Sequence, residues 1–484
     1  MRNIVIILAL ALGFHFLIWE ARLGSNLLLF SLATSAAALW LKPEISRRPM
    51  TNALLIGWCL SGFFVFWHHS ILSIVVYWVF AAVTVGYLQN REVRFWVLGL
   101  VESARGLLFG WLISLRNLSS QQGPDAQWKT TWRQVRLWII PFLLIIPFYL
   151  IYSAANSTFG AFNERMGDWI EEVFDFDFDM GRLFVFLLGW ILVVALLGRR
   201  NGIPLIHDWV QGWQFALIRN RRPLPWSTRT LGLKQEYQTA VYSFIILNSL
   251  LLIINLLDVI WVWFSPQEYT AAELSQYVHE GTWLLIFSIV LAMLVVLLFM
   301  RGNLNFFPNN QRLKQLANLW LAQNAFLALS VGVRNGHYIQ HHGLAHGRII
   351  VVVFLVLVLF GLYTMYQKIR GPRTAFYLME MNGRAVLLSL LVAASVNWDS
   401  LITRYNLQRE DPDLYHIQQI LDNNLVPLLE AAQTSTMIAD RLDHDYLQSK
   451  AKRLERRVEN RDWRSWNYSD YRQLKAWRAY QKAN

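Results

Sequence analysis

Apolar positions in this chain come in long unbroken runs, not in the period-two alternation of a half-buried strand or the stripe of a soluble helix. The runs fall at 3–19, 23–41, 52–67, 70–88, 136–153, 182–198, 240–264, 282–300, 316–333, 347–367 and 383–398. Each approaches the ~20 residues needed to cross ~30 Å of hydrocarbon. The pattern predicts an all-α fold, a polytopic transmembrane helix bundle of about eleven spans, with a small extramembrane helical tail after Trp398. The run at 316–333 carries Asn318, Gln323 and Asn324, so it can cross only with those amides turned to other helices. A twelfth candidate, 95–115, holds Glu102 and Arg105 near its middle. Ionised residues at the bilayer centre cost roughly 2.5–3.5 kcal/mol each, although two charges about one turn apart can pair.

Composition agrees. Of 484 residues 55% are hydrophobic and 16% charged, well below the charged quarter of a soluble domain. With 23 Trp, 18 Tyr and 29 Phe, a water-soluble fold would have more apolar side chain than its core could hide. That excludes a soluble enzyme and a disordered chain. The single cysteine, Cys59, can form neither an internal disulfide nor a thiolate metal site. Trp19-Glu20-Ala21-Arg22 lacks a small-x-small cleavage pattern, so the first apolar run reads as a retained span.

Lys and Arg number 44 against 32 Asp and Glu, a net charge of +12. In a membrane protein such an excess sets topology, because basic loops stay in the cytoplasm. Basic connectors (Lys42 to Arg48, Lys129 to Arg136, Arg199 to Lys234, Arg301 to Lys314, Lys368 to Arg384) alternate with acidic ones (Glu164 to Asp179, Glu268 to Glu280). The alternation predicts the cytoplasmic membrane of a bacterium, N-terminus inside and C-terminus outside, if 95–115 lies in the inner interface with Glu102 and Arg105 turned to water. The expected regions are 1–94 with four spans, 95–135 as interfacial helix and basic linker, 136–398 as main bundle, and 399–484 as outer tail. Ile206 to Ile218 has amphipathic spacing and reads either as a second in-plane helix or as an ordinary connector. In the tail, Asp411-Pro412-Asp413 signals a helix start, Leu414, Ile417, Ile420 and Leu421 form a stripe, and a later helix is expected over about 436–459. The aromatic and basic end from Trp463 to Tyr480 could stack on nucleic acid. An outer location leaves no nucleic acid to meet, so packing on the tail or the lipid interface is expected.

Five landmarks resemble a bacterial family of multi-pass membrane proteins labelled only domain of unknown function 4173, related to 4153. They are Ser153 to Phe159, Tyr277 to Trp283, Arg334 to Arg348 (with Tyr338, Gly343 and Leu344), Asn397 with Ile402, Arg404, Tyr405 and Asn406, and Asp462 to Asn467. The family's Asp-Pro is absent from the first. In the third, His342 and Ala345 stand where the family has Tyr and Thr. The resemblance covers roughly 136–484, implies a bacterial membrane protein, and supplies no activity, cofactor or catalytic residue.

Candidate chemistry lies in three places. His337, His341, His342 and His346 form two i, i+4 pairs, a spacing that could ligate a divalent metal or sense pH. No His-Glu-x-x-His is present, and Gly336, Gly343 and Gly347 argue against a continuous helix. The bland alternative is a loop of solvent-facing or interfacial imidazoles. Asp175, Asp177 and Asp179 alternate with Phe and could meet a hard cation, but a solvated acidic loop fits equally simple physics. Intramembrane polar groups point most directly to function. Asp258, Glu280, Arg334, Tyr338 and Arg348 sit at outer span ends, with Asn248 and Asn255 two turns apart on the helix of Asp258. Together they could line a polar outer vestibule, or simply pair for structure. Pro141 and Pro147 could open the fifth span. No nucleotide loop, catalytic triad order or resident cofactor is indicated. The reading that results is a non-enzymatic membrane protein, transport or permease-like. The alternatives are an accessory or signalling protein whose tail, 411–484, binds an envelope partner, and a metal-dependent intramembrane enzyme.

Overall fold

The computed structural model describes residues 2–90, 93–119, 165, 180–197, 215–217, 233–264, 271–300, 302–410, 412–419, 422–459 and 461–483, of which 2–4, 108–119, 180, 261, 271–284, 302–303, 416, 419 and 483 are described by their backbone alone. The run at 136–153 with its two prolines, the Ser153 to Phe159 landmark, the Asp175 to Asp179 loop and most of 206–218 lie outside them. Regular structure among the described residues is helical, apart from an isolated bridge between Ala216 and Arg373. The chain divides into two units: 1–19 with 105–198, and 20–104 with 199–484.

In the first unit, α1 (Arg2–Ile18) packs along α6 (Met180–Leu197). Gly189 on α6 gives Phe14 its seat, since a Cβ there would sit 2.6 Å from the Phe14 ring. Arg182 lies over the Trp19 ring at 5.8 Å.

The second unit begins with α2 (Ser25–Leu41), α3 (Pro49–His68) and α4 (Ile71–Gln89). Pro49 opens α3, where its missing N–H costs nothing. Ser70 and Ser73 exchange side-chain and backbone hydrogen bonds to start α4. The division between units falls within α5 (Trp96–Ser119). Glu102 of α5 is not turned to water: it is fully buried and accepts from Asn90 Nδ2 at 2.9 Å. An amide donor on the preceding turn offers the carboxylate a partner inside the protein, a contact hydropathy cannot foresee.

The main bundle holds α7 (Leu233–Asp258), α8 (Ala271–Phe299), α9 (Gln311–His342), α10 (His346–Arg370) and α11 (Ala375–Ala394) around one apolar core. Among the described residues six helices (α3, α4, α7, α9, α10 and α11) are long and apolar enough to cross a membrane, and four apolar stretches, 5–18, 25–41, 181–197 and 285–299, are shorter. Ten of the eleven apolar runs thus fall on described helices. The last is displaced towards the N-terminus, 375–394 instead of 383–398, which puts Arg384 inside a helix and not in a connector.

The turns of this unit collect at two ends. At one end Lys42 Nζ reaches Leu88 O at 3.4 Å, Lys368 Nζ donates to Met300 O at 2.7 Å, and the 215–217 segment bonds the 372–374 turn. At the other end lie the turns at 20–25, 68–70, 343–346 and 395–398, and the tail packs on all four.

The tail is a helical array: α12 (Trp398–Leu407), α13 (Leu414–Gln419), α14 (Leu425–Thr434), α15 (Thr436–Arg441), α16 (His444–Glu459) and α17 (Tyr468–Ala483). The single helix expected over 436–459 is two, because Leu442 turns extended and inward to the core while Asp443 accepts from the Tyr446 amide and restarts the helix. Leu414 and Ile417 enter a core completed by Leu428, Leu447, Leu454 and Trp477; Ile420 and Leu421 lie outside the described residues. Lys450 donates to Asn424 Oδ1 at 2.8 Å, and burial pushes its ammonium down to about 8, against the pull of Asp422 and Asp399. Between that value and the ordinary 10.5 the unfolded chain holds a proton that the folded tail has released, so tail stability rises with pH across the window. The tail's melting temperature should climb from pH 8 to 10, and Lys450→Met should flatten the climb.

Candidate functional site

The interface of α7 and α9 is built from amides. On α7 the buried face reads Ala240, Phe244, Asn248, Leu251, Asn255 and Asp258, a 3–4 spacing that keeps the polar residues in one line. Asn248 Nδ2 donates to Leu316 O at 3.1 Å and its Oδ1 accepts from Gln323 Nε2 at 2.9 Å; Asn255 Nδ2 donates to Gln323 O at 3.2 Å. Asn324, fully buried on the same helix, returns its amide to Trp320 O. Gln323 and Asn324, two of the three amides in the span at 316–333, thus donate within and between helices.

The line ends on a charge. Arg334 Nη2 donates to Asp258 Oδ1, and both side chains are nearly enclosed, at 12% and 7% exposure. Asp258 is the last α-helical residue before the backbone widens into a π turn over Val259–Trp263. Such bulges recur at functional positions. Trp263 Nε1 at the end of the turn donates to Ser330 Oγ at 3.0 Å, one turn before Arg334.

Arg348 opens α10 and lies over the Tyr338 ring at 4.2 Å while donating to Gly343 O. Asn335 Nδ2 holds Arg348 O at 3.1 Å. Asp258 with Arg334 and Tyr338 with Arg348 are thus two pairs, and their α9 members, Arg334 and Tyr338, stand one turn apart on the same helix. Glu280 lies on α8, and its side chain is outside the described residues.

The histidines do not sit in a loop. α9 runs through Gly336 to His342 and stops at Gly343, whose φ of +80° is left-handed. Three carbonyls at its end accept from Arg409: Ile339 O at 3.3 Å, Gln340 O at 2.7 Å and His341 O at 2.6 Å. Capping by a residue so far along the chain carries the helix past its glycine. His337, His341 and His342 are exposed on this last turn region, with His342 against Tyr338 at 4.5 Å between rings. His346 instead starts α10 and pairs with Asp399 of the tail at 3.0 Å. Asp399 is half-buried, which opposes ionisation, but the His346 ring and the amides of Asn423 and Asp422 outweigh that and hold its carboxyl below the usual range. Among the described residues no three His, Cys, Asp or Glu side chains converge as a metal site.

Asn406 ties the turn to the tail: it accepts from Leu344 N at 2.7 Å and donates to Leu344 O at 2.9 Å. The third and fourth landmarks thus meet in space. Asn397, also of the fourth, caps α12 through Ser400 N. Asn335, Asp399 and Arg409 carried no sequence signal beyond their polarity. Glu380 and Arg384 form a further ion pair one turn apart on α11, with Glu380 buried.

A family model matches residues 3–432, most of the chain. The chain belongs to the family described as Domain of unknown function (DUF4153). DUF4153 is thus the family shown, the relative of the 4173 label suggested by the five landmarks. The match takes in the N-terminal helices that the landmarks, beginning at 153, left out. It stops short of the Asp462 to Asn467 landmark and of α15, α16 and α17. Comparison with curated proteins and with solved structures gave no match.

Proposed function

We propose that this DUF4153 member is a non-enzymatic multi-pass protein of a bacterial cytoplasmic membrane that passes or binds a small polar or charged solute, permease-like, at an outer vestibule around Asp258 and Arg334. One observation carries the reading: a nearly enclosed ion pair stands where α7 breaks into a π turn, at the head of a line of buried amides. Broken spans with ionisable groups are the usual setting for a solute path.

The proposed topology is eleven spans, with 95–115 not crossing, the N-terminus inside and the C-terminus outside. Its support is the basic turns at one end of the second unit. Lys42, Arg47, Arg48, Arg94, Arg312, Lys314, Lys368, Arg370 and Arg373 gather at the end away from the tail, as cytoplasmic turns should. Reporter fusions at Asn90, Ser120 and Asn484 should report inside, inside and outside. An inward Asn484 overturns the orientation.

For function, proteoliposomes should show protein-dependent flux of at least one solute in a panel of small anions, cations and zwitterions, abolished by Asp258→Asn. A second reading, an accessory protein whose tail binds an envelope partner, is favoured by the tail's own apolar core. Correctly oriented protein without flux for any solute would move the assignment there.

A further inference from the structure

Aromatic residues at the upper end of α3 do not stop at the end of the helix. Exposed Phe63 stacks on exposed Trp67 at 5.5 Å, and Trp67 stacks on Tyr468 at 4.3 Å. Beside them Phe66 meets Trp466 at 5.2 Å, and Trp466 meets Tyr471 at 5.9 Å. An outward-facing aromatic stack on a spanning helix marks the hydrocarbon–headgroup boundary. Tyr468, the first residue of α17, is therefore placed at that boundary.

The segment is fixed there and not merely lying near. Ser25 N donates to Trp466 O at 2.9 Å and Arg22 N to Ser465 Oγ at 2.8 Å. A Cβ on Gly24 would come within 2.7 Å of Ser465 O and Trp466 O, so only glycine lets the two backbones approach. The buried pair of Arg461 and Asp470, 2.5 Å apart, sets the rotation of α17.

That rotation divides the helix. Ser469, Asp470, Gln473, Leu474 and Trp477 face inward, and Tyr471, Arg472, Lys475 and Arg478 face out. On a helical wheel the outward set surrounds Tyr468, the residue stacked on lipid-facing Trp67. Arg472 and Lys475 lie about 6 and 10 Å from Tyr468 along the axis at a rise of ~1.5 Å per residue. The headgroup layer is roughly 5–7 Å deep on each side. Even if α17 rose straight from the surface, the flexible Arg472 and Lys475 side chains would reach phosphate.

We propose that the outward face of α17, led by Arg472 and Lys475 beside the Phe63–Trp67–Tyr468 stack, binds anionic phospholipid headgroups and holds the tail to the bilayer. The occupant follows from charge complementarity and from the height the aromatic stack imposes. It rests on the chain residing in a membrane, not on the solute reading above.

The test is hydrogen exchange on the full chain in nanodiscs of phosphatidylcholine with or without phosphatidylglycerol. Near an anionic surface each basic residue contributes about fivefold, so amides of 468–478 should exchange roughly fivefold or more slowly with the anionic lipid. Arg472→Gln with Lys475→Gln should abolish the difference while leaving the α14 and α16 amides protected. Arg456→Gln, exposed on α16, should leave the difference intact. Equal exchange in both membranes, or a difference that survives the double variant, overturns the proposal. So does equal slowing by soluble polyphosphate in neutral discs, which would assign the face to a soluble polyanion. Failure to enter nanodiscs at all would sink membrane residence instead.

Discussion

Replacing Arg334 with Met should cost about 3–5 kcal/mol, as removal of one member of a buried ion pair does. The guanidinium and the Asp258 carboxylate are each nearly closed off from solvent, so either one alone becomes an uncompensated charge. Asp258→Met should cost a similar amount. The double variant, with both charges replaced by apolar side chains, should recover most of the loss, because the desolvation of both ions disappears together with their attraction. Thermal melting in detergent of the four proteins closes the cycle. Additive losses would mean that the two groups do not act as a pair. The same four proteins separate structural support from function. If the pair only fastens α7 to α9, the double variant behaves as wild type in every assay. If the pair handles a solute, the double variant is stable and inactive. A stable protein that has lost its flux is the expected result.

Much of this cluster could be read from residue order, and the reason is geometric. Asn248, Asn255 and Asp258 recur at seven and three, so any helix places them on one line, and the bilayer forces such a line inward. Arg334, Tyr338 and Arg348 could be placed at span ends by length alone. What order could not supply was who meets whom. Gln323 joins Asn248 and Asn255 across the α7–α9 interface, and the tail supplies Asn406 and Arg409 to the α9–α10 turn. The error over Gly336 has this origin. A glycine costs about 1 kcal/mol in a helix, which a local reading takes as a break. Three capped carbonyls at the far end outweigh it. The histidine pairs differ from each other for a related reason. His337 and His341 share α9, as their spacing suggests, but Gly343 turns the chain between His342 and His346 and gives His346 to Asp399. Glu102 reverses the case: two charges in an apolar run implied a surface helix, yet the amide of Asn90 receives the carboxylate inside.

Gly86→Ala should be as disruptive as a change of one methyl group can be, whereas Gly99→Ala, its neighbour across the same contact, should be mild. A Cβ on Gly86 would stand 1.9 Å from Gly99 O and 2.5 Å from Gly99 C. Those atoms are backbone of α5 and cannot swing aside, so the two helices must separate. A Cβ on Gly99 meets the Tyr87 ring at 3.2 Å and the backbone Val83 O at 3.3 Å; the ring edge yields, and the carbonyl contact asks for a shift of only a few tenths of an ångström. Overpacking of this kind costs about 1–3 kcal/mol when side chains absorb it and more when backbone must move; Gly86→Ala is expected at or above the upper figure and Gly99→Ala below 1.5 kcal/mol. Separation also carries a chemical consequence. Asn90 follows Gly86 by one turn and Glu102 follows Gly99 by three residues, so pulling the crossing apart stretches the Asn90–Glu102 hydrogen bond. Glu102 would then be a buried carboxylate without that donor, a second loss added to the steric one. Asn90→Ala should reproduce the second loss without the first. Melting temperatures of the three variants should therefore fall in the order Gly99→Ala, Asn90→Ala, Gly86→Ala, with the last lowest. A Gly86→Ala protein as stable as Gly99→Ala would mean that α4 and α5 do not cross on their glycines, and would return 95–115 to the water-facing surface helix its two charges first suggested.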